Sequence, residues 1–209
     1  MVELLEVYDL KGKLLRVQDR DDFYKEIKKE FAKKDNISKK VKTIRLLLMN
    51  SNGRIYLQKR SNIKQENAGL YDKTVGGHVS AGDSYDMTVV RECAEELGFP
   101  AAILSKREFD RAVKVTDLSI IGIFKKVDYT SHFLSVRKTK QGKFIQPVMG
   151  SFYVGYYDGA IRFVDGESSG IEVFSIKELE NDIKKNPDKF TDDLKVMIKR
   201  YKKFLKPIK

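Results

Sequence analysis

The chain lacks the features that mark secreted, membrane-spanning and multidomain proteins. Its 209 residues include one cysteine and no segment like a secretory leader, so we expect a reducing, cytoplasmic location. No apolar run is long enough to cross a bilayer as a helix. Internal repeats, low-complexity tracts and Pro- or Gly-rich linkers are also missing. The length therefore suits one domain with additions and a sizeable core.

The strongest compositional bias is a formal net charge of +11. Such a charge favours anionic ligands and can assist non-specific contact with nucleic acid. It does not distinguish a phosphorylated metabolite from RNA, so a nucleic-acid partner stays open at this point.

The most informative segment runs from Gly77 to Phe99 and carries a dense acidic cluster. If the segment is helical, Glu92, Glu95 and Glu96 stand at i, i+3 and i+4 and share one face. Like charges at this spacing repel each other unless a cation lies among them. Mg²⁺ suits such oxygen ligands and is typically shared with substrate phosphates. The alternative is a solvated, charged helix face, and the spacing alone does not decide between the two.

The same segment has a clear helical period. Val89, Cys93 and Leu97 recur every four residues and form an apolar stripe beside the acidic face. Asp83 or Ser84 can cap its amino end, and a glycine follows the last apolar residue, where helices commonly stop. We therefore expect an amphipathic helix with Cys93 in the core.

This pattern resembles the Nudix box, Gly-x5-Glu-x7-Arg-Glu-U-x-Glu-Glu-x-Gly-U, where U is a bulky apolar residue. Six strict positions match in register: Gly77, Arg91, Glu92, Glu95, Glu96 and Gly98. Cys93 and Phe99 stand at the U positions, and Asp83 stands where the family has Glu. The resemblance to the Nudix hydrolase superfamily covers roughly residues 40 to 205.

The resemblance implies a metal cofactor and a set of roles. Nudix proteins hold their metals through box glutamates and a backbone carbonyl of the glycine loop, which implicates Glu92, Glu95, Glu96 and Gly77. We expect Mg²⁺, with Mn²⁺ as a substitute. Family members differ in the acid that acts as general base, so Glu92 is either a ligand or the base. Glu95 is a second candidate for a catalytic role. Arg91 is expected to pair with Glu95 or with Asp83 and so to orient the ligands.

The implied activity is hydrolysis of a phosphoanhydride. A diphosphate resists nucleophiles because its own oxygens are negative, and Mg²⁺ can neutralise that charge and lower the pKa of a bound water. We expect a small-molecule substrate, namely a nucleoside diphosphate linked to another moiety. Two alternatives remain: an isopentenyl-diphosphate isomerase, which in that family needs a Cys where this chain has Gly76-Gly77, and a non-catalytic module that binds nucleotides or RNA.

Three further residues are candidates for substrate binding. Arg60 ends a predicted strand at a place like that of an Arg in Nudix domains. His78 directly follows the box glycine and can reach a metal or a phosphate, although a lone His is also an ordinary polar loop residue. Asp165, Glu167 and Glu172 precede a predicted helix, and many Nudix proteins have a Glu followed by an apolar residue there, so Glu172 is the third candidate.

Residues 1–38 are predicted to form an extension that packs on a Nudix domain of residues 39–209. The extension opens with a hairpin that turns at Lys11-Gly12. A charged helix follows, capped by Asp21 or Asp22. Its apolar stripe, at four-residue spacing, consists of Phe23, Ile27 and Phe31. This stripe is expected to pack on the main domain or on a second subunit, so a homodimer is one expectation.

The remaining pattern predicts strands before and after the acidic helix, with other helices outside. The predicted strands are the apolar run ending at Met49, then 54–60, 119–128, 132–137 and 149–157. Asn52-Gly53 is a hairpin dipeptide, and the polar connection around Gly142 suggests either a hairpin or a mobile loop. Ser175 and Thr191 are predicted to cap two C-terminal helices, the second spanning 192–205. The fold expected is an α/β (α+β) mixed-sheet α/β/α sandwich.

Overall fold

The structure, a computed structural model, describes residues 2–162 and 168–208. The strands in these ranges are β1 (Leu4–Asp9), β2 (Leu14–Asp19), β3 (Lys39–Met49), β4 (Arg54–Arg60), β5 (Tyr71–Asp72), β6 (Val75–His78), β7 (Ala101–Ile103), β8 (Gly122–Thr139), β9 (Gly142–Tyr156) and β10 (Ser168–Ser175). The α-helices are α1 (Arg20–Lys34), α2 (Tyr85–Leu97), α3 (Lys106–Val115), α4 (Ile176–Lys185) and α5 (Asp192–Tyr201). None of these helices is long and apolar enough to cross a bilayer.

A mixed sheet forms the middle of the molecule. Its main path follows the order β10, β4, β3, β9, β8 and β7. β3 pairs with β9 in parallel, as β7 does with β8, while β4 and β9 also have antiparallel neighbours. β1 and β6 pair with β3 as well. β3 is therefore the strand at which the N-terminal hairpin, the glycine strand and the rest of the sheet meet.

Helices cover both faces of this sheet because β3 is apolar on both sides. Ile44 and Leu46 belong to one buried cluster, together with Val89 and Cys93 of α2. Leu47 points to the other face, since successive side chains of a strand alternate, and joins a second cluster with residues of α1, α4 and α5. The mixed-sheet α/β/α sandwich predicted from the sequence is confirmed.

The N-terminal hairpin forms as predicted and is part of the same sheet. Its strands pair antiparallel around a turn at Gly12, whose φ of 95° lies in the left-handed region that favours glycine. β1 then pairs with β3 through Val7 and Val41. The extension is thus continuous with the sheet, and the division between residues 38 and 39 stays a prediction.

The cap of α1 differs from the prediction. Asp19, and not Asp21 or Asp22, is the N-cap, and it accepts hydrogen bonds from the N–H groups of Asp21 and Asp22 at 2.9 and 3.1 Å. The reason is that β2 ends at Asp19 and the chain enters the helix without an intervening loop. The two predicted caps lie in the first turn, where negative charge still favours the helix.

The apolar stripe of α1 packs within its own chain. Phe23 and Ile27 are fully buried. The Phe31 ring lies 6.0 Å from the ring of Phe144, measured between centroids. Because the domain itself covers the stripe, the stripe gives no support for a homodimer, which stays a prediction.

The C-terminal half departs from the prediction in several strands and one helix, and β9 begins at residue 142, before the predicted strand 149–157. Residues 119–128 and 132–137, predicted as separate strands, contribute to the single β8, whose pairing with β9 shifts register between Thr130 and Phe133. An irregularity of this kind bends a strand without ending it. The helix α3 and the strands β7 and β10 were not predicted from the sequence.

The two C-terminal helices begin where the sequence predicts. Ser175 caps α4 and Thr191 caps α5. α5 ends at Tyr201, earlier than the predicted residue 205, and continues as a 3-10 turn over Lys202–Phe204. Tight turns of this kind are common at helix ends.

We predict that Phe23→Ala lowers the free energy of unfolding by about 3–5 kcal/mol, because removing a fully buried ring leaves a cavity. Urea denaturation followed by circular dichroism measures this change. In the control Ile120→Ala the truncated side chain is 65% exposed, so we expect a change within about 0.5 kcal/mol. Equal effects of the two variants would contradict the packing of α1 on the domain.

Candidate active site

A cleft of about 760 Å³ lies beside the helix α2. Arg91, Glu92, Glu95 and Glu96 of α2 line it, together with the glycine strand β6. Most of the remaining lining comes from α1, from β3 and from lysines and arginines near β4, β5 and β8. The structure therefore brings the acidic helix and the N-terminal extension around the same cavity.

Local sequence explains how α2 presents its acids. The Ser84 hydroxyl caps the helix by accepting a hydrogen bond from the Met87 N–H. At the other end Gly98 adopts a left-handed φ of 74°. Val89 and Cys93 are fully buried, whereas Glu95 on the other face is exposed. The predicted amphipathic helix, with Cys93 in the core, is confirmed.

The carboxyl of Glu92 packs directly against the glycine strand. A Cβ added to Gly77 would lie 2.6 Å from Glu92 Oε1, so only glycine leaves room for this carboxyl. The carboxyl of Glu92 lies close to that of Glu96, a residue that is only 9% exposed. Burial raises the pKa of Glu92, and the neighbouring charge of Glu95 adds to that effect, while the contact with Glu96 and the charge of Arg91 oppose it.

Arg91 forms an ion pair with Asp83, the residue that stands where the Nudix box has Glu. Its Nη1 lies 2.7 Å from Asp83 Oδ2, and its Nη2 lies 3.7 Å from Glu92 Oε1. Of the two partners expected for Arg91, the structure thus has Asp83. The shorter side chain of aspartate still reaches the guanidinium, because Ser84 takes the cap and leaves Asp83 available.

The donor set fits a hard divalent cation that shares its ligands with a substrate. Within residues 2–162 and 168–208, no three His, Cys, Asp or Glu side chains are arranged as a group that could hold a metal ion by themselves. Mg²⁺ does not need one, since it usually keeps several waters and takes one or two carboxylates plus substrate phosphates. Glu92 and Glu96 are adjacent and largely buried, and burial disfavours the charged form of Glu92, so a nearby cation would stabilise that form. Oxygen ligands of this kind suit Mg²⁺ or Mn²⁺.

His78 joins the box to the N-terminal extension. Its Nε2 lies 3.0 Å from the hydroxyl of Tyr24, and its Nδ1 lies 3.9 Å from a carboxylate oxygen of Glu3. Burial lowers the pKa of His78 well below its ordinary value of 6.5, and surrounding cations such as Arg20 and Arg137 lower it further. His78 is therefore neutral at pH 7.

The other two residues predicted to bind substrate lie in different places. Arg60 lines the cleft and donates hydrogen bonds from Nε and Nη2 to the carbonyl oxygen of Glu66, at 3.1 and 3.0 Å. Glu172 does not line the cleft; it is exposed on β10 and accepts a hydrogen bond from the Tyr71 hydroxyl at 3.3 Å. The neighbouring acids Asp165 and Glu167 lie outside the described residues.

Several residues that line the cleft were not predicted from the sequence. Arg45, Lys73 and Arg137 line it although they come from distant parts of the chain and follow no motif. The cleft residues of α1 could have been found from their spacing. Arg20 and Tyr24 are four positions apart, so they lie on one side of a helix whose other side is apolar.

Comparison with known proteins agrees with this geometry. A family model described as the NUDIX domain matches residues 39–194, which is most of the chain. The chain belongs to the NUDIX domain family. The predicted recognition and enzyme class, a Nudix-type hydrolase acting on phosphoanhydrides, are confirmed at this level.

The chain is similar to a named isomerase and to several solved structures. An isopentenyl-diphosphate Delta-isomerase of Serratia proteamaculans (strain 568) is 25% identical over 146 residues, covering 70% of this chain and 68% of the relative. The solved structure of DR0079 from Deinococcus radiodurans has a TM-score of 0.63 at 18% identity and covers 95% of this chain and 98% of its own.

A third similar protein is the bifunctional NMN adenylyltransferase/ADP ribose pyrophosphatase of Francisella tularensis, solved with AMP and a Mn ion. Its TM-score is 0.53 at 16% identity, and the match covers 89% of this chain and 47% of that one. At these identities the two structures show a shared Nudix fold.

We predict that Gly77→Ala weakens divalent-cation binding by about tenfold or more, because the new Cβ displaces the Glu92 carboxyl. Titration of the protein with Mn²⁺, followed by calorimetry, measures the affinity. Gly170→Ala is the matched control, since a Cβ there would have nothing within 4 Å. If both variants bind Mn²⁺ like the wild type, the Glu92–Gly77 contact does not form part of a metal site.

A second prediction concerns pH. Because the folded-state pKa of His78 lies below its ordinary 6.5, the unfolded chain binds the proton more readily, so this contribution to stability is present above pH 6.5 and lost as pH falls. In His78→Gln the melting temperature should therefore drop less between about pH 7 and about pH 5 than in the wild type. The exposed His132 supplies the control, His132→Gln, which should keep the wild-type slope. Identical slopes for all three proteins would show that His78 is not held neutral.

Proposed function

We propose that the protein is a Mg²⁺-dependent pyrophosphohydrolase that cleaves the phosphoanhydride of a nucleoside diphosphate linked to another moiety. The observation that carries this proposal is the adjacent carboxyls of Glu92 and Glu96, the first packed against Gly77, in a cleft that also contains many cations. Its volume of about 760 Å³ is in the range of small-molecule sites. A nucleotide-sized diphosphate suits both the charge and the size of this cleft.

Three acids of α2 take part in metal binding and proton transfer in this proposal. Glu92, Glu95 and Glu96, with the backbone carbonyl of Gly77, hold the metal. Bound Mg²⁺, or Mn²⁺ in its place, neutralises phosphate charge and lowers the pKa of a water. Either Glu92 or Glu95 accepts the proton of the attacking water as general base. Arg91 touches no substrate and acts by holding Glu92 in position through its pairing with Asp83.

The cations of the cleft bind the substrate in this proposal. Arg60 is already fixed by two hydrogen bonds to a backbone carbonyl, so little conformational entropy is lost when it contacts a phosphate. His78 is neutral and can donate or accept one hydrogen bond without changing the net charge. Glu172 is left without a proposed role, since it does not line the cleft.

The second candidate is an isomerase that acts on isopentenyl diphosphate. The similarity to an isopentenyl-diphosphate Delta-isomerase favours it. Against it, the position where that family has a reactive Cys holds Gly76-Gly77, and the one cysteine of the chain, Cys93, is fully buried in the core. Burial also raises the pKa of its thiol, which makes it a poor proton donor. Binding of RNA without catalysis has less support, since all three box glutamates are retained.

The test is a panel of diphosphate compounds incubated with Mg²⁺, with products identified by chromatography. We predict that Glu96→Gln lowers turnover by about a hundredfold or more, because it removes a metal ligand, while the melting temperature changes little. The control Glu180→Gln alters a surface ion pair with Lys202 and should keep wild-type turnover.

Two outcomes would change the assignment. Undiminished turnover in Glu96→Gln would refute the metal site on α2. Isomerisation of isopentenyl diphosphate without anhydride cleavage would replace the first candidate by the second.

A further inference from the structure

The helix α1 contributes one of its faces to the cleft. Its apolar residues Phe23 and Ile27 are buried in the core. Arg20, Tyr24 and Lys28, spaced four residues apart and therefore on one face, all line the cleft. α1 lies outside the part of the chain that the family model matches, residues 39–194. α1 thus contributes a polar wall to the site from outside the matched residues.

Tyr24 is held firmly within this wall. Its hydroxyl contacts His78 Nε2 at 3.0 Å and donates to Gln146 Oε1 at 3.2 Å. The Tyr24 and His78 rings meet edge to face, with centroids 5.7 Å apart. The contact between Tyr24 and His78 therefore links the wall to the strand that carries the box glycine, and this link can hold the wall in place against a ligand.

Two buried donors close to this wall have no acceptor. Gln146 Nε2 and Arg137 Nε are buried and lack a hydrogen-bond partner among the described residues. The two residues are diagonal neighbours on one sheet face, because Gln146 pairs with Ser135 and Arg137 lies two residues further along β8. Arg137 also lines the cleft. Buried donors of this kind cost free energy unless a ligand supplies the acceptor.

The charge of this region is positive even after its ion pairs are considered. Apart from Arg91, seven lysines and arginines line the cleft, whereas Glu3, Asp21 and Glu66 are the acids that line it outside α2. Two more acids, Asp72 and Asp193, lie directly behind and pair with cleft cations. Lys28 Nζ lies 3.3 Å from Glu66 and Arg137 Nε lies 3.9 Å from it, so one carboxylate serves both cations. An added anion would be stabilised here.

We infer that α1 is a specificity element, which binds a second phosphate group on the substrate at a distance from the diphosphate that is cleaved. Lys28 and Arg137 contact this phosphate, and Tyr24 positions the wall. Arginine and lysine are well suited to the task because charge-assisted hydrogen bonds to phosphate are strong. The inference rests on the proposed function and narrows its substrates to diphosphate compounds that carry an additional phosphate monoester.

The test uses two matched pairs of compounds that differ by one ribose phosphate: NADPH with NADH, and coenzyme A with dephospho-coenzyme A. Hydrolysis with Mg²⁺ gives kcat/KM, and calorimetry without metal gives Kd. In at least one pair we expect wild-type protein to favour the phosphorylated member about tenfold or more in both measurements.

The variants assign that preference to α1. Lys28→Ala should lose most of the preference through a higher KM and Kd for the phosphorylated member, with little change for the other. Lys28→Arg keeps the positive charge and should therefore retain the preference for the phosphorylated member. The matched control is Lys29→Ala, on the same helix but exposed and outside the cleft, which should behave as wild type.

The outcomes separate this inference from the proposed function. Hydrolysis of both members of each pair at equal rates, or a preference that Lys28→Ala leaves intact, would overturn the role of α1 while the hydrolase assignment stands. A Lys28-dependent preference in binding without any hydrolysis would support the role of α1 and count against the hydrolase. If neither member of either pair binds, the inference is wrong.

Discussion

The contact between the Glu92 carboxyl and the backbone of Gly77 is the constraint on which the site depends. Taking carboxylates out of water is unfavourable, and Glu92 and Glu96 are both largely buried and adjacent to each other. The fold makes the arrangement possible by anchoring α2 through its buried stripe of Val89 and Cys93. A cation beside these carboxyls would stabilise their charged forms and so offset the cost of their burial.

Buried ion pairs hold the basic part of the cleft in the same way. Arg45 of β3 donates to Asp193 of α5 at 3.0 Å, and Asp193 also accepts from the Ser135 hydroxyl. Beside them Lys73 pairs with Asp72, to which Thr191 donates at 2.7 Å. Removing one member of such a pair would leave an uncompensated charge in the interior. The C-terminal helix therefore helps to position cleft cations, although it lies far from the box in sequence.

The elements with local signals could be predicted from the sequence. The strand Arg54–Arg60 forms with the predicted bounds because Asn52-Gly53 specifies the turn, and Gly53 has a left-handed φ of 84°. Ser175 and Thr191 cap their helices as predicted, since a side-chain oxygen before a helix is a local device. The box residues share one helix face for the same reason: their spacing alone places them there.

Elements whose limits depend on distant partners were harder to predict. β8 runs through a predicted gap because β9 pairs with it on both sides of the irregularity. The N-cap of α1 is Asp19, and not a predicted residue, because the paired strand β2 ends at Asp19. Nothing in the sequence near Arg45, Lys73 or Arg137 indicates a common site, since only the sheet brings them together.

The sequence by itself determined the acidic helix, its glycine stop and the family to which the box belongs, because these follow from spacing along one segment. The tertiary structure decided which residues complete the cleft. It placed Arg20, Tyr24 and Lys28 of the extension beside the box, gave Arg91 its partner in Asp83, and left Glu172 outside. Such neighbours arise from strand pairing and core packing between segments far apart in the chain, and no local pattern records them.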